Sequence, residues 1–188
     1  MKRVILIILL MFPLFVFAKE EVKFDKCIDG DTFKAKINDE IITVRLLAVD
    51  TPEIKHDKVE AEYYGEEAKD YTCNLLKNSK KIELEYDLKS DKFDKYGRTL
   101  AWVYVDNYLL NDILVRNGYG EVAYVYDNYK YVDLLKEHES LAKIEKLGIW
   151  NDNVDDDVDN ILIWSSIFTA ILLSLFAILK NKLKNIFK

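Results

Sequence analysis

The chain has 188 residues, 50% hydrophobic and 32% charged, which allows one domain of about 130 residues with a buried core, plus terminal appendages. Its 33 acidic residues outnumber 27 basic ones, a formal net charge of -6, so attraction of nucleic acid by overall charge is excluded and any such attraction has to be a local field. No Ser-His-Asp arrangement, zinc-ligand spacing, Walker loop or internal repeat is present, which removes several common enzyme classes.

The first predicted element is a secretory signal, residues 1–18. Lys2-Arg3 precedes an apolar run from Val4 to Phe17, and Val16-Phe17-Ala18 fits a cleavage site after Ala18. Three strands follow, Val22 to Ile28, Thr32 to Ile37 and Ile41 to Leu47, because apolar and β-branched residues alternate there and Asn38-Asp39-Glu40 reads as a hairpin turn. From Gly65 to Lys77 the period changes to helical, with Ala68, Tyr71, Thr72, Leu75 and Leu76 on one face. Strands return at Ile82 to Leu88 and Thr99 to Val105, separated by a charged loop, Lys89 to Gly97. Helices are expected at Leu109 to Arg116 and at Tyr131 to Lys146, the latter stopped near Gly148. Five strands with a helix after the third and two after the fifth predict an α+β domain, residues 19–151, built as a small closed barrel with three helices against it.

After the domain, Asp152, Asp155, Asp156, Asp157 and Asp159 make residues 152–160 an acidic linker. Residues 161–179 are nineteen uncharged, mostly apolar residues, a helix of about 28 Å, the length of a transmembrane span. Lys180, Lys182, Lys184 and Lys188 lie in the basic tail, residues 180–188, and place it in the cytoplasm by the positive-inside rule. Cleaved or retained, the signal leaves the domain on the extracytoplasmic side of the cell membrane, anchored by a single C-terminal pass. Between residues 19 and 150 there are 21 basic and 28 acidic residues, so the exported domain is itself near -7. Its two cysteines, Cys27 and Cys73, fit either a disulfide or two buried thiols.

Three clusters within the domain carry chemistry: Asp29-Gly30-Asp31-Thr32, Arg45-Leu46-Leu47-Ala48-Val49-Asp50-Thr51-Pro52-Glu53 and Asp94-Lys95-Tyr96-Gly97-Arg98. Asp31 at the mouth of a hairpin and Asp50 at the end of a strand can converge on one hard cation. Glu53 follows a proline that stiffens the backbone, as a positioned carboxylate facing water requires. Arg45 lies on a strand among apolar neighbours and needs a partner, and phosphate is the natural one; Arg98 ends a glycine-containing loop and offers the same planar set of donors. His56 and His138 lie in no cluster and read as lone surface residues.

The order and spacing of these clusters resemble the thermonuclease, or staphylococcal nuclease-like, family from about Lys23 to Trp150. The resemblance also rests on Lys80-Lys81-Ile82-Glu83-Leu84-Glu85-Tyr86, Leu114-Val115-Arg116-Asn117-Gly118, Val122-Ala123-Tyr124-Val125-Tyr126 and Glu145-Lys146-Leu147-Gly148-Ile149-Trp150. It implies an OB-fold-type barrel and a Ca²⁺-dependent nuclease that hydrolyses DNA and RNA with little sequence preference, leaving 3′-phosphates. It implies Asp31, Asp50 and the backbone carbonyl of Thr51 as cation ligands, with Asp29 in an outer position. Glu53 would activate or orient water, and Arg45 and Arg98 would stabilise the transition state. Lys95 and Tyr96 would contact a terminal phosphate, and Tyr124 and Tyr126 would line the nucleotide pocket. The loop before Asp94 is one residue longer than in the best known member, which bears on Lys95 and Tyr96. The competing reading is a membrane-tethered nucleic-acid-binding barrel without catalysis. Neither reading implies an obligate protein partner.

Overall fold

A computed structural model describes residues 19–55, 60–151, 167–169 and 171. The signal, the acidic linker, the basic tail and His56 lie outside the described residues. So does most of the expected membrane span, of which residues 167–169 and 171 are helical and exposed. Among the described residues no helix is long and apolar enough to cross a membrane. The chain divides into two units, Met1–Ile149 and Trp150–Lys188.

Strands β1 (Glu20–Cys27), β2 (Thr32–Ile37) and β3 (Glu40–Leu46) form an antiparallel meander. Alternation explains it: Phe33 and Ala35 of β2 and Val44 of β3 are fully buried, while their neighbours along the strands face the other way. The expected turn between β2 and β3 has Asn38 and Asp39 both at positive φ, 47° and 68°, the geometry that matches the strands' own twist. Helix α1 (Gly65–Asn78) follows and buries Ala68, Thr72 and Leu76, all from the predicted face. Strands β4 (Ile82–Glu85) and β5 (Thr99–Val105) complete the sheet.

Neighbours run β3-β2-β1-β4-β5, and a parallel pairing of β3 with β5 closes the barrel. The predicted five-stranded barrel is therefore present, with one addition. A two-residue strand β6 (Tyr108–Leu109) pairs back on β5 through a turn in which Asp106 and Asn107 are both at positive φ. Leu109, read as the start of a helix, belongs to β6, and helix α2 runs Leu110–Arg116. β4 also ends earlier than Leu88, because Asp87 leaves the ladder to accept hydrogen bonds from Trp102 Nε1 (2.9 Å) and the Lys130 amide (2.7 Å). Helix α3 (Val132–Ile144) packs on α2.

The core lies inside the barrel and beneath the helices, with Phe33, Leu46, Leu84, Trp102, Leu114 and Leu135 almost wholly buried. Cys27 and Cys73 form a disulfide with Cα atoms 5.8 Å apart, tying the end of β1 to α1 and resolving the open choice.

Candidate active site

The site begins at the turn between β1 and β2. Asp29 folds it by accepting hydrogen bonds on Oδ1 from the amides of Asp31 (3.1 Å) and Thr32 (2.6 Å), a local competition with the ladder at which Asp excels. Gly30 is required there, because a Cβ would lie 2.6 Å from Thr51 Oγ1. From α1, Thr72 Oγ1 donates to the Gly30 carbonyl at 2.7 Å. Asp31 is thereby turned inward, only 5% exposed, where it accepts from the Thr51 amide (2.9 Å), Thr51 Oγ1 (3.2 Å) and Thr32 Oγ1 (3.0 Å).

Asp50 leaves β3's extension at a second fixed point. Its amide and carbonyl exchange hydrogen bonds with Glu121 (2.9 and 2.8 Å), and Gly120 allows that approach, since a Cβ there would be 2.6 Å from the Asp50 carbonyl. Between the two carboxylates stands Arg45, 7% exposed. Its Nη1 meets Asp31 Oδ2 at 2.8 Å and the Val49 carbonyl at 2.6 Å, and its Nη2 meets Asp50 Oδ1 at 2.8 Å. Phosphate was the expected partner of Arg45, yet in the protein alone two carboxylates hold it. A buried guanidinium has to be paired, and they are the acceptors on its face of the sheet.

Burial pushes the Asp31 carboxyl up to about 7; Arg45 and the Thr51 amide oppose the rise, while Asp29 and Asp50 add to it. The donors are hard oxygens, which fit a Ca²⁺ or Mg²⁺ ion better than a softer metal. Among the described residues no group of three or more His, Cys, Asp or Glu is arranged to hold a metal; the expected set of Asp31, Asp50 and the Thr51 carbonyl contains two carboxylates.

Glu53 is exposed, but its backbone is not loose. Its amide donates to Glu62 Oε2 and its carbonyl accepts from the Glu62 amide, both at 2.9 Å, and a Cβ on Gly65 would come within 2.5 Å of that carbonyl. Glu62 was not foreseen from the sequence, and only its two-sided contact with Glu53 marks it. On the far wall, Asp94 accepts from the amides of Tyr96 and Arg98 (both 2.9 Å) and from Arg98 Nε (2.6 Å). Burial alone would raise the Asp94 carboxyl, but these bonds from Arg98 and Tyr96 outweigh it and hold it below the usual range. The clamp takes Arg98 by Nε, and neither terminal nitrogen is hydrogen-bonded among the described residues.

Every predicted site side chain except Thr51 lines one cleft of about 590 Å³: Asp31, Arg45, Asp50, Glu53, Lys95, Tyr96, Arg98, Tyr124 and Tyr126. Asp29 lines it too, as do Phe93 and Tyr129, which the sequence did not single out. Tyr96 (71% exposed) and Tyr126 (83% exposed) stand at the rim, and the Tyr124 ring faces the Arg45 guanidinium at 5.7 Å. The Asp50 carboxylate beside it pushes the Tyr124 phenol above its ordinary value. His138 lies away from the cleft and is not alone, since its Nδ1 pairs with Asp112 between α3 and α2.

The domain is thus a closed barrel that presents two carboxylates, a third on a braced turn and two arginines at one cleft. Residues 43–152 match the family described as Staphylococcal nuclease homologue. The chain is 46% identical over 134 residues to SPbeta prophage-derived endonuclease YokF of Bacillus subtilis (strain 168), and 47% identical over 131 residues to Endonuclease YncB of the same strain. It is 34% identical over 134 residues to Thermonuclease of Staphylococcus hyicus, covering 71% of this chain and 78% of that one. The chain belongs to the staphylococcal nuclease family, as its three clusters implied. The aligned parts are 71% and 69% of this chain but only 45% and 61% of the two Bacillus proteins.

Proposed function

We propose that this protein is a Ca²⁺-dependent nuclease that hydrolyses phosphodiester bonds of DNA and RNA with little sequence preference and leaves 3′-phosphates. We further place it at the outer face of the cell membrane, on the strength of the apolar run 161–179 and the lysines behind it. The observation that carries the enzymatic reading is the single cleft that gathers Asp31, Arg45, Asp50, Glu53 and Arg98 from three separate segments of the chain.

Asp31, Asp50 and the Thr51 carbonyl would hold the cation, which when bound supplies Lewis-acid polarisation of the scissile phosphate and offsets its charge. Arg45 keeps the two carboxylates together and turns donors toward the cleft. Two of its five N–H donors make hydrogen bonds within the protein, to the Val49 carbonyl and Asp50, beside the ion pair with Asp31, leaving capacity for a phosphate oxygen. Arg98, held by one side only, presents its terminal nitrogens to the non-bridging oxygens and to the departing 5′ oxygen. Glu53, braced by Glu62, orients water for in-line attack and takes up its proton. Tyr124 and Tyr126 offer faces on which any base can stack, which suits weak sequence preference.

The test is cleavage of single-stranded DNA by the detergent-solubilised full chain in Ca²⁺, in Mg²⁺ and in chelator, beside Glu53→Ala. Calcium-dependent cleavage that falls by at least a hundredfold in the variant is expected. A folded protein that binds DNA and cuts it under no metal would replace this reading with that of a tethered binding module.

A further inference from the structure

The outer face of the first hairpin carries a second feature aimed at the same polymer. In the β2–β3 register Thr32 pairs with Arg45, Lys34 with Thr43 and Lys36 with Ile41. Positions two apart on a strand share a face, so Lys34 and Lys36 stand on the face of the sheet that carries Arg45 into the cleft. Across β1–β2, Lys26 is the direct partner of Lys34 and Lys23 of Lys36. Four lysines therefore form a two-by-two ladder, with rungs about 5 Å apart across the strands and about 7 Å along them. It starts one step beyond the Thr32–Arg45 pair.

Folding does not ask for this arrangement. Like charges directly opposite each other weaken a sheet, and the core is filled from the opposite face by Val22, Phe33 and Ala35. None of the four lysines makes an ion pair with another described residue. Two exposed acids border the ladder, Asp25 at the register shift between Phe24 and Lys26 and Glu21 two residues before Lys23, so the four lysines outnumber them on this face, while Glu40 pairs with Ile37 on the other face. In a domain near -7, four unpaired lysines on one patch leading out of the cleft are a local field of the opposite sign.

We propose that the Lys23–Lys26–Lys34–Lys36 ladder is a docking track for the phosphodiester backbone of a nucleic-acid strand, extending the grip beyond the bond being cut. The inference rests on the nuclease reading for its substrate, but it makes a separate demand: the protein discriminates polymer from short substrate by charge. Its occupant is a polyanion, which charge complementarity selects, and a strand leaving the cleft along β2 meets both pairs in turn.

The experiment compares the full chain with a variant carrying Lys→Gln at 23, 26, 34 and 36, using a labelled single-stranded oligonucleotide and a dinucleotide. The expected result is that the polymer-to-dinucleotide ratio of kcat/KM falls about tenfold. The slope of log Kd for the oligonucleotide against log salt should become shallower by about 3, from roughly 0.7 per neutralised phosphate. An unchanged ratio and slope would overturn the track and leave the lysines to an anionic lipid surface. Equal losses on both substrates would overturn it too, because the lysines would then act through the cleft. Should the fourfold variant fail to fold, the pairs Lys34→Gln/Lys36→Gln and Lys23→Gln/Lys26→Gln each take about half the slope change. Binding is read without turnover, so a chain that cuts nothing sinks the nuclease reading while the salt slope still decides the ladder.

Discussion

The two walls of the cleft are built on opposite plans. Asp31, Arg45 and Asp50 are locked to one another and to β3, α1 and Glu121, with almost no solvent around Asp31 and Arg45. Lys95, Tyr96, Tyr124 and Tyr126 project from loops, largely exposed. The difference assigns them different work. A wall whose donors and acceptors are already placed can stabilise charge in a transition state without reorganising, whereas an exposed aromatic wall can accept many bases and determine none.

Breaking the rigid wall should have the largest effect. Arg45→Ala leaves Asp31 buried without its partner, so we expect about 3–5 kcal/mol of lost stability in urea unfolding. A fall of at least 100-fold in kcat should accompany it, from removal of one charged donor. Replacing Cys27 and Cys73 by serine, or reducing the bond, removes the tie beside the Asp29–Asp31 turn and should cost about 2–4 kcal/mol by the same measurement. The loop wall should respond in KM. Tyr124→Ala and Tyr126→Ala are each expected to weaken oligonucleotide binding by about 1–2 kcal/mol while kcat stays within a few-fold.

The smallest effect sharpens the boundary between the walls, because Asp94 is a well-anchored group on the exposed side. Its folded-state pKa is depressed, so the stability it contributes is present above its unfolded value near 4 and is lost as pH falls through the lower folded value. Asp94→Asn should cost about 1–2 kcal/mol at pH 7, and the difference from the unaltered protein should shrink in urea melts as pH is lowered below the unfolded value near 4.

Much of this was readable in advance. Period-two alternation located β1 to β5, and the helical spacing of Ala68, Thr72 and Leu76 identified the buried face of α1. That Asp31, Arg45, Asp50, Glu53 and Arg98 would share one cleft was legible because three clusters each carry an unusual density of charge beside turns. What escaped depends on contacts between distant segments. The partners of Arg45 are set by how Asp31 and Asp50 fold toward it, Glu62 matters only through its hold on Glu53, and the disulfide needed a distance. The short β6 was missed for a local reason, because Leu109 continues smoothly into a helical pattern while the Asp106-Asn107 turn before it is the better signal.

The parallel closure of β3 on β5 has one more consequence. Arg45 is in register with Leu100, and Arg98 lies one residue before the partner of Val44, so the two arginines, distant in the chain, become neighbours only when the cylinder shuts. Non-local pairings of this kind wait on loop closure, whose entropy must be met before the contact returns anything. On the proposed reading, the two arginines of the cleft are brought together by the contact that closes the barrel, and a chain still unfolded carries them apart.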